Sequence, residues 1–280
     1  MKPSKQRIKE IQRAEKELEA LSNNLQTDYF NSVWRVIGPI TLKDNPITLA
    51  AANDVFFRAW QRIVGRGISK FLKEELRKQA AELSGYYSQY TPPVLSFNDV
   101  DKIVKQNLLQ NISNFTTAYT TTTDVAFRTR SFAVGLLQQG LSIADIKTGL
   151  SGLVLGDANK LGIVDNYNFV KLRINDTFAE YDRRTSDQYA TQLQLNYFIY
   201  NGGEIKTTRD FCEQRNGKIY TREEGLEWNT LDWQGKKPGH NVLNDAGGYN
   251  CRHYLDWISY ELAKQLRPDI QRSKFDINGL

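Results

Sequence analysis

Cysteine and histidine are scarce in this 280-residue chain, two of each, and all four fall in one stretch: Cys212, His240, Cys251 and His253. Two thiols and two imidazoles make up the four nitrogen and sulfur donors that a structural zinc ion takes. Cys251 and His253 are two residues apart, so on a strand both side chains project to one face. The spacing, with 27 residues between Cys212 and His240 and ten between His240 and Cys251, matches no standard zinc finger or knuckle. Three readings therefore stay open: a zinc site, a Cys212–Cys251 disulfide, and small buried thiols beside hydrogen-bonded imidazoles. In each, Cys212 and Cys251 are expected close together, because the segment between them is poor in aliphatic residues and needs its ends paired.

Other chemistry finds little material. There is no G-x-S-x-G, no H-E-x-x-H and no Walker loop in the sequence. The run Gly65-Arg66-Gly67-Ile68-Ser69-Lys70 has a phosphate-loop flavour but the wrong spacing, and it lies inside a helical pattern. Asp176, Glu180, Arg183 and Arg184 recur at helical spacing, which suits a solvated face better than acid–base catalysis. The chain is not expected to be an enzyme, a Cys-His hydrolase on Cys212 or Cys251 being the one catalytic alternative.

The elements that hold the cysteine stretch are legible in the hydrophobic period. A long helix spans Val164 to Gln192, and the period then changes to two at Leu195, Tyr197 and Ile199. Asn201-Gly202-Gly203 reads as a turn returning through a partner strand at Glu204–Thr208. Asn216-Gly217 turns the chain into a strand at Lys218–Tyr220, and Thr221 with Glu224 forms a capping box for a short helix through Trp228. Trp228, Trp233 and Trp257 supply the large apolar surfaces of this unit. Arg209 and Arg252 flank the cysteines, with Asp210, Glu213 and Asp256 as candidate partners.

Upstream the pattern is helical. Residues 4–28 carry a narrow stripe of Ile8, Ile11, Leu18, Leu21 and Leu25, a contact face for another chain or for residues 49–83, although Lys5 and Arg7 oppose the helix dipole. Leu49 to Leu83 reads as a core helix with a kink at Gly65 and Gly67. A capping-box variant at Ser96–Asp99 opens a third helix, Thr116–Thr123 weakens the next, and Val125–Gln139 closes at Gly140. Ser142 caps a short helix, Ile143–Leu150. The expected architecture is α+β: a mainly helical N-terminal part, a long helix, and a small C-terminal module rich in β-hairpins. It divides into 1–47, a contact helix and linker; 48–162, a helical domain; 163–262, the module; and 263–280, a tail.

Hydrophobic residues at 40% and charged residues at 25% exclude a disordered or collagen-like chain. Apolar runs such as Phe132–Leu137 fall far short of the ~20 residues of a membrane helix. The N-terminus carries charge where a secretory signal would be apolar, so synthesis in the cytosol is expected. A net charge of +5 is compatible with loose, non-specific attraction to DNA, but it is spread along the chain without a reading motif.

The run Thr207-Thr208-Arg209-Asp210-Phe211-Cys212 through Asn216-Gly217-Lys218-Ile219-Tyr220, with Gly247-Gly248-Tyr249-Asn250-Cys251-Arg252-His253, resembles the C-terminal signature of the Mu F-like minor head proteins of tailed phages, the phage head morphogenesis family. The lead-in of Leu136–Gly140, Leu141-Ser142 and Ile146 resembles it too, so the likeness covers roughly residues 135–260. It departs in two places: members often carry His-Pro where this chain has Gly248-Tyr249, and a second Cys where it has His253. The resemblance implies a virion protein made in the bacterial host cytoplasm and sited in the head interior or portal region. Its implied partners are the portal protein and major capsid or scaffold proteins, and its implied role is head morphogenesis, with DNA packaging or ejection as further steps it would aid. Similar modules also occur joined to effector domains in polymorphic toxins, so the alternatives are an effector or toxin-type enzyme module and a non-specific nucleic-acid-binding protein.

Overall fold

The computed structural model describes residues 3–40, 53–90, 102, 105–114, 124–157, 160–161 and 167–276. Helix α1 runs Pro3–Ile40, well past the expected end at residue 28. The reason is that the apolar stripe continues through Tyr29, Phe30, Val33 and Ile37, all buried, and carries the helix through Gly38 and Pro39. Helix α2 (Asn53–Trp60) passes through a π-helical turn, Gln61–Gly65, into α3 (Arg66–Tyr87). The π turn, which inserts one residue into the helical ladder, lies beside Gly65 and Gly67, where a kink was expected. Residues 105–114 are helical, whereas the proposed cap at 96–99 and the break at 116–123 lie outside the described residues.

Helix α4 (Asp124–Gln138) ends at Gly140, whose φ of +63° takes the left-handed cap and whose N–H donates to Leu137 C=O at 3.0 Å. Helix α5 (Ile143–Leu155) starts where Ser142 Oγ accepts from Asp145 N–H at 3.2 Å. It outruns the expected Leu150 because Val154 extends the buried stripe of Ile146 and Leu150. Strands β1 (Gly156–Asp157) and β2 (Lys160–Leu161) form a short antiparallel ladder after it.

Helix α6 spans Tyr167–Gln192 and leads into strand β3, Tyr197–Gly202. The remaining elements are α7 (Asp210–Glu213), β4 (Lys218–Thr221), α8 (Arg222–Glu227), α9 (Val242–Asp245), β5 (His253–Ile258) and α10 (Tyr260–Leu266). The sheet order is β4-β3-β5, all antiparallel, with Tyr197 opposite Thr221 on one side and Ile258 on the other. The chain is thus α+β, helical with a small three-stranded sheet at its C-terminal end.

The expected return strand Glu204–Thr208 is not a strand; Lys218–Thr221 pairs with β3 in its place. Ile205 is the sole apolar residue of 204–208 and is exposed, so that stretch has no face to bury. Instead Thr208 Oγ1 accepts from Ile205 N–H at 2.7 Å, closing a turn that leads to α7.

Two compact units are assembled from interleaved pieces, Met1–Ala14, Glu74–Asn111 and Leu172–Leu280 in one, Glu15–Lys73 and Ile112–Lys171 in the other. Neither coincides with the consecutive segments at 1–47, 48–162 and 163–262. In the second unit Leu18, Leu25, Tyr29, Trp60, Ile68 and Leu72 are buried, with Tyr29 edge-on to Trp60 at 5.2 Å. Gly67 lets α1 close in, since a Cβ there would stand 2.7 Å from Leu25 Cδ2. The N-terminal stripe is therefore used inside the chain: Ile11, Leu18 and Leu25 are buried and Leu21 is half-buried, so this face is not free for a partner. The side chain of Ile8 lies outside the described residues.

In the first unit the sheet is covered on both faces. Phe198, Tyr200, Leu255 and Trp257 share a core with Leu83, Tyr87, Tyr189 and Trp228. On the opposite face Tyr197 and Ile258 meet Ala263 and Ile270. The stretch after residue 262, expected as a tail, thus closes a core, and Ser273 N–H donates to Tyr197 Oη at 2.7 Å. Arg7, in the first turns of α1, is buried and bridges Asp256 at 2.7 Å and Asp182 at 3.3 Å. No helix among the described residues is long and apolar enough to cross a membrane.

Candidate metal centre

Cys212 sits on the one-turn helix α7, its N–H bonded to Arg209 C=O at 2.8 Å. Cys251 follows a contorted turn in which Ala246, Gly248 and Asn250 all take positive φ, and His253 opens strand β5. The turn and the strand end bring residues remote in sequence together. Cys212 Sγ lies 3.8 Å from Cys251 Sγ, which lies 3.7 Å from His253 Nδ1. The ligand atoms of all three fall within 4.8 Å of one another, and each residue is only 2% exposed. The expectation that Cys212 and Cys251 meet is met.

Gly247 makes this approach possible. A Cβ there would collide with Cys212 Sγ and come within 3.0 Å of Cys251 Sγ, while its bare N–H donates to Cys251 Sγ at 3.2 Å. Tyr200, on the middle strand, donates from Oη to Cys212 Sγ at 3.3 Å and stands 3.8 Å from Cys251 Sγ. Its ring stacks on the His253 imidazole, centroids 5.1 Å apart and planes 20° apart, which fixes the ring where no hydrogen bond holds Nε2. Beneath them Arg183 of α6, fully buried, donates to Asn244 C=O at 2.7 Å and to His253 C=O at 2.9 Å, pinning both flanks of the turn.

The electrostatics split the two thiols. Burial resists ionisation of Cys251, yet the hydrogen bond from Cys212, His253 and the Arg183 guanidinium together hold it well below the ordinary cysteine range. The same hydrogen bond, and then burial, pushes Cys212 far above it. Cys251 is thus the more readily ionised of the two thiols. A buried sulfur surrounded by donors is a ready soft ligand, and none of the three side chains is open to a substrate.

His240 does not join the other three. Its ring meets the edge of Trp233 at 4.9 Å, and neither ring nitrogen has a hydrogen-bond partner. Trp233 in turn stacks on Phe211 at 3.9 Å and donates from Nε1 to Gly247 C=O at 3.0 Å, so the indole, with His240 against it, props the turn from outside. Of the flanking arginines, Arg209 differs from expectation, its Nη2 donating to Tyr249 C=O at 2.6 Å, and Asp256 is taken by Arg7 and by Asn201 Nδ2 at 3.2 Å. Sequence reasoning missed Tyr200, Gly247 and Arg183. Tyr200 is masked by the strand alternation and Arg183 by the charge pattern of α6, but the Gly247-Gly248 pair before Cys251 is a readable signal for close backbone approach.

No protein-family model matches the chain, nor does any curated protein or solved structure. The class that fold and site define is an α+β protein whose C-terminal sheet module is closed over a buried Cys2His cluster.

Proposed function

We propose that the chain is a structural protein of a phage virion, a minor head protein acting in head morphogenesis near the portal. The observation that carries the reading is the pair of motif segments, Thr207–Tyr220 and Gly247–His253, which resemble the Mu F-like signature in order and spacing. The sulfur and nitrogen atoms of those two segments converge in one buried cluster, which gives the motif residues a shared task in holding the module together. Burial of the cluster also favours a structural over a catalytic use, because a nucleophilic cysteine must be reached by its substrate. Contacts with portal, scaffold or major capsid protein would fall on surfaces other than the α1 stripe, which the chain covers itself.

The test is the composition of the particle. Heads and procapsids purified from a lysate of the phage or prophage that encodes the chain should contain it in substoichiometric amount relative to the major capsid protein, and it should co-purify with the portal. Particles that lack it at every stage of assembly would sink the reading.

A further inference from the structure

We propose that Cys212, Cys251 and His253 hold a zinc ion, with Tyr200 Oη at the fourth vertex and His240 outside the coordination sphere. The inference is independent of the head-protein reading. It rests first on edge lengths. A tetrahedral zinc with Zn–S near 2.3 Å and Zn–N near 2.0–2.1 Å separates two sulfurs by about 3.8 Å and sulfur from nitrogen by about 3.5–3.6 Å. The structure has 3.8 Å between the sulfurs and 3.7 Å between Cys251 Sγ and His253 Nδ1. Two unlinked thiols need not stand at this spacing, and a disulfide would draw the sulfurs to about 2.0 Å.

The surroundings give a second, separate reason. The Gly247 N–H aimed at Cys251 Sγ at 3.2 Å is the kind of backbone donor that steadies a metal-bound thiolate. Gly247 has room for no side chain, so the space between the two sulfurs is kept by the backbone itself. The distances from Tyr200 Oη to the two sulfurs, 3.3 and 3.8 Å, bracket the sulfur–oxygen edge of about 3.5–3.6 Å, and stacking of the Tyr200 ring holds the imidazole in place. Soft thiolates with one imidazole select zinc over magnesium or calcium.

With the ion in place, the module is closed at both ends of its longest irregular stretch. Cys212 lies before the Trp228–Trp233 loop, and Cys251 and His253 lie after it. The ion therefore staples a segment whose own regular structure is a few short helical turns and one strand.

The experiment is metal analysis of the full chain, purified without chelator, followed by exchange into Co2+. One zinc per chain is expected for the wild type and for His240→Gln, with less than a tenth of that in Cys251→Ser. The cobalt form should show thiolate charge-transfer absorption and the intense visible bands of a tetrahedral site. Cys251→Ser also removes a core side chain and can unfold the module for that reason alone. His253→Cys is therefore the second variant: it should keep the metal and strengthen the charge-transfer band. Tyr200→Phe should weaken the visible bands as water enters the fourth position. A folded, metal-free wild type that takes up no Co2+, or an intact mass showing a Cys212–Cys251 disulfide, would overturn the site. Zinc loss in His240→Gln would return that residue to the ligand set, and an unchanged cobalt spectrum in Tyr200→Phe would remove the fourth ligand.

Discussion

Arg7 shows how one side chain can reverse a local expectation. A cation in the first turns of a helix opposes the helix dipole, yet here the guanidinium is 6% exposed and lies between two buried carboxylates. Removing one partner of such a network strands the others, at a cost of about 3–5 kcal/mol. Arg7→Ala is therefore expected to lose that much in urea unfolding at pH 7. Burial already holds the Asp256 carboxyl above its ordinary value, with Arg7 pulling the other way. Without Arg7 the folded-state value rises further. A raised carboxyl contributes stability that is present at low pH and lost as pH rises, so the deficit of the variant should grow as pH rises above the ordinary carboxyl value of 3.8. A deficit flat above that value would contradict the arrangement. His240 titrates in the opposite sense. Burial, with Lys236 and Lys237 nearby, holds its imidazole below the ordinary 6.5 although Asp245 pulls upward. Its contribution is complete above the unfolded value and fades as pH falls through about 6.5 toward the folded one. His240→Gln should flatten that limb of the stability profile, read by thermal unfolding between pH 5 and 7.5.

At the scale of elements, the capping box of α8 was legible from four letters. Thr221 Oγ1 accepts from Glu224 N–H at 3.2 Å, and Thr221 N–H donates to Glu224 Oε2 at 2.7 Å. What the sequence did not disclose is that Glu224 also takes Arg267 in a forked pair, at 2.9 and 3.0 Å, tying α8 to the chain beyond α10. Thr221→Ala should cost about 1 kcal/mol, the usual value of an N-cap. Glu224→Ala should cost more, and a cycle with Arg267→Ala should show coupling of about 0.5–1 kcal/mol, small because the pair is partly exposed. The same division runs through the fold. Helices α4, α5 and α6, the π-turn kink and strand β3 could be read because period, caps and glycines are local signals. The strand at Lys218–Tyr220 could be read too, behind the Asn216-Gly217 turn, but its pairing could not: no local signal says that it, and not Glu204–Thr208, lies beside β3. The site followed the same rule. Proximity of Cys212 and Cys251 was inferred from a segment too poor in aliphatic residues to fold with its ends apart, whereas the place of His240 against Trp233, outside the cluster, follows from a turn with three non-standard backbone conformations that no periodicity records.

At the scale of the molecule, the interleaving of its pieces decides what can be cut away. A boundary at residue 163 looks natural in the sequence, since it separates the helical half from the long helix and sheet. The sheet's core, however, includes Leu83 and Tyr87 from α3, with Tyr87 stacked on Tyr189 at 4.9 Å. Tyr86 Oη donates to Trp257 C=O at 3.1 Å, Gln79 Nε2 donates to Asp182 at 3.1 Å, and Arg7 neutralises Asp182 and Asp256. A fragment of residues 163–280 would keep its strands and its Cys2His cluster but expose an aromatic face and leave two buried acids without a cation. Two large buried side chains lost from one core cost about 2–5 kcal/mol each, comparable to the whole stability of a small domain. The fragment is therefore expected to show no cooperative thermal transition, even with zinc supplied, while the full chain does. Adding residues 74–111 to it on a flexible linker should restore part of the transition, and adding residues 1–14 as well should restore the rest, because the packing and the charge are contributed by different pieces. Cooperative unfolding of the bare 163–280 fragment, followed by circular dichroism, would show instead that the sheet module carries a sufficient core of its own.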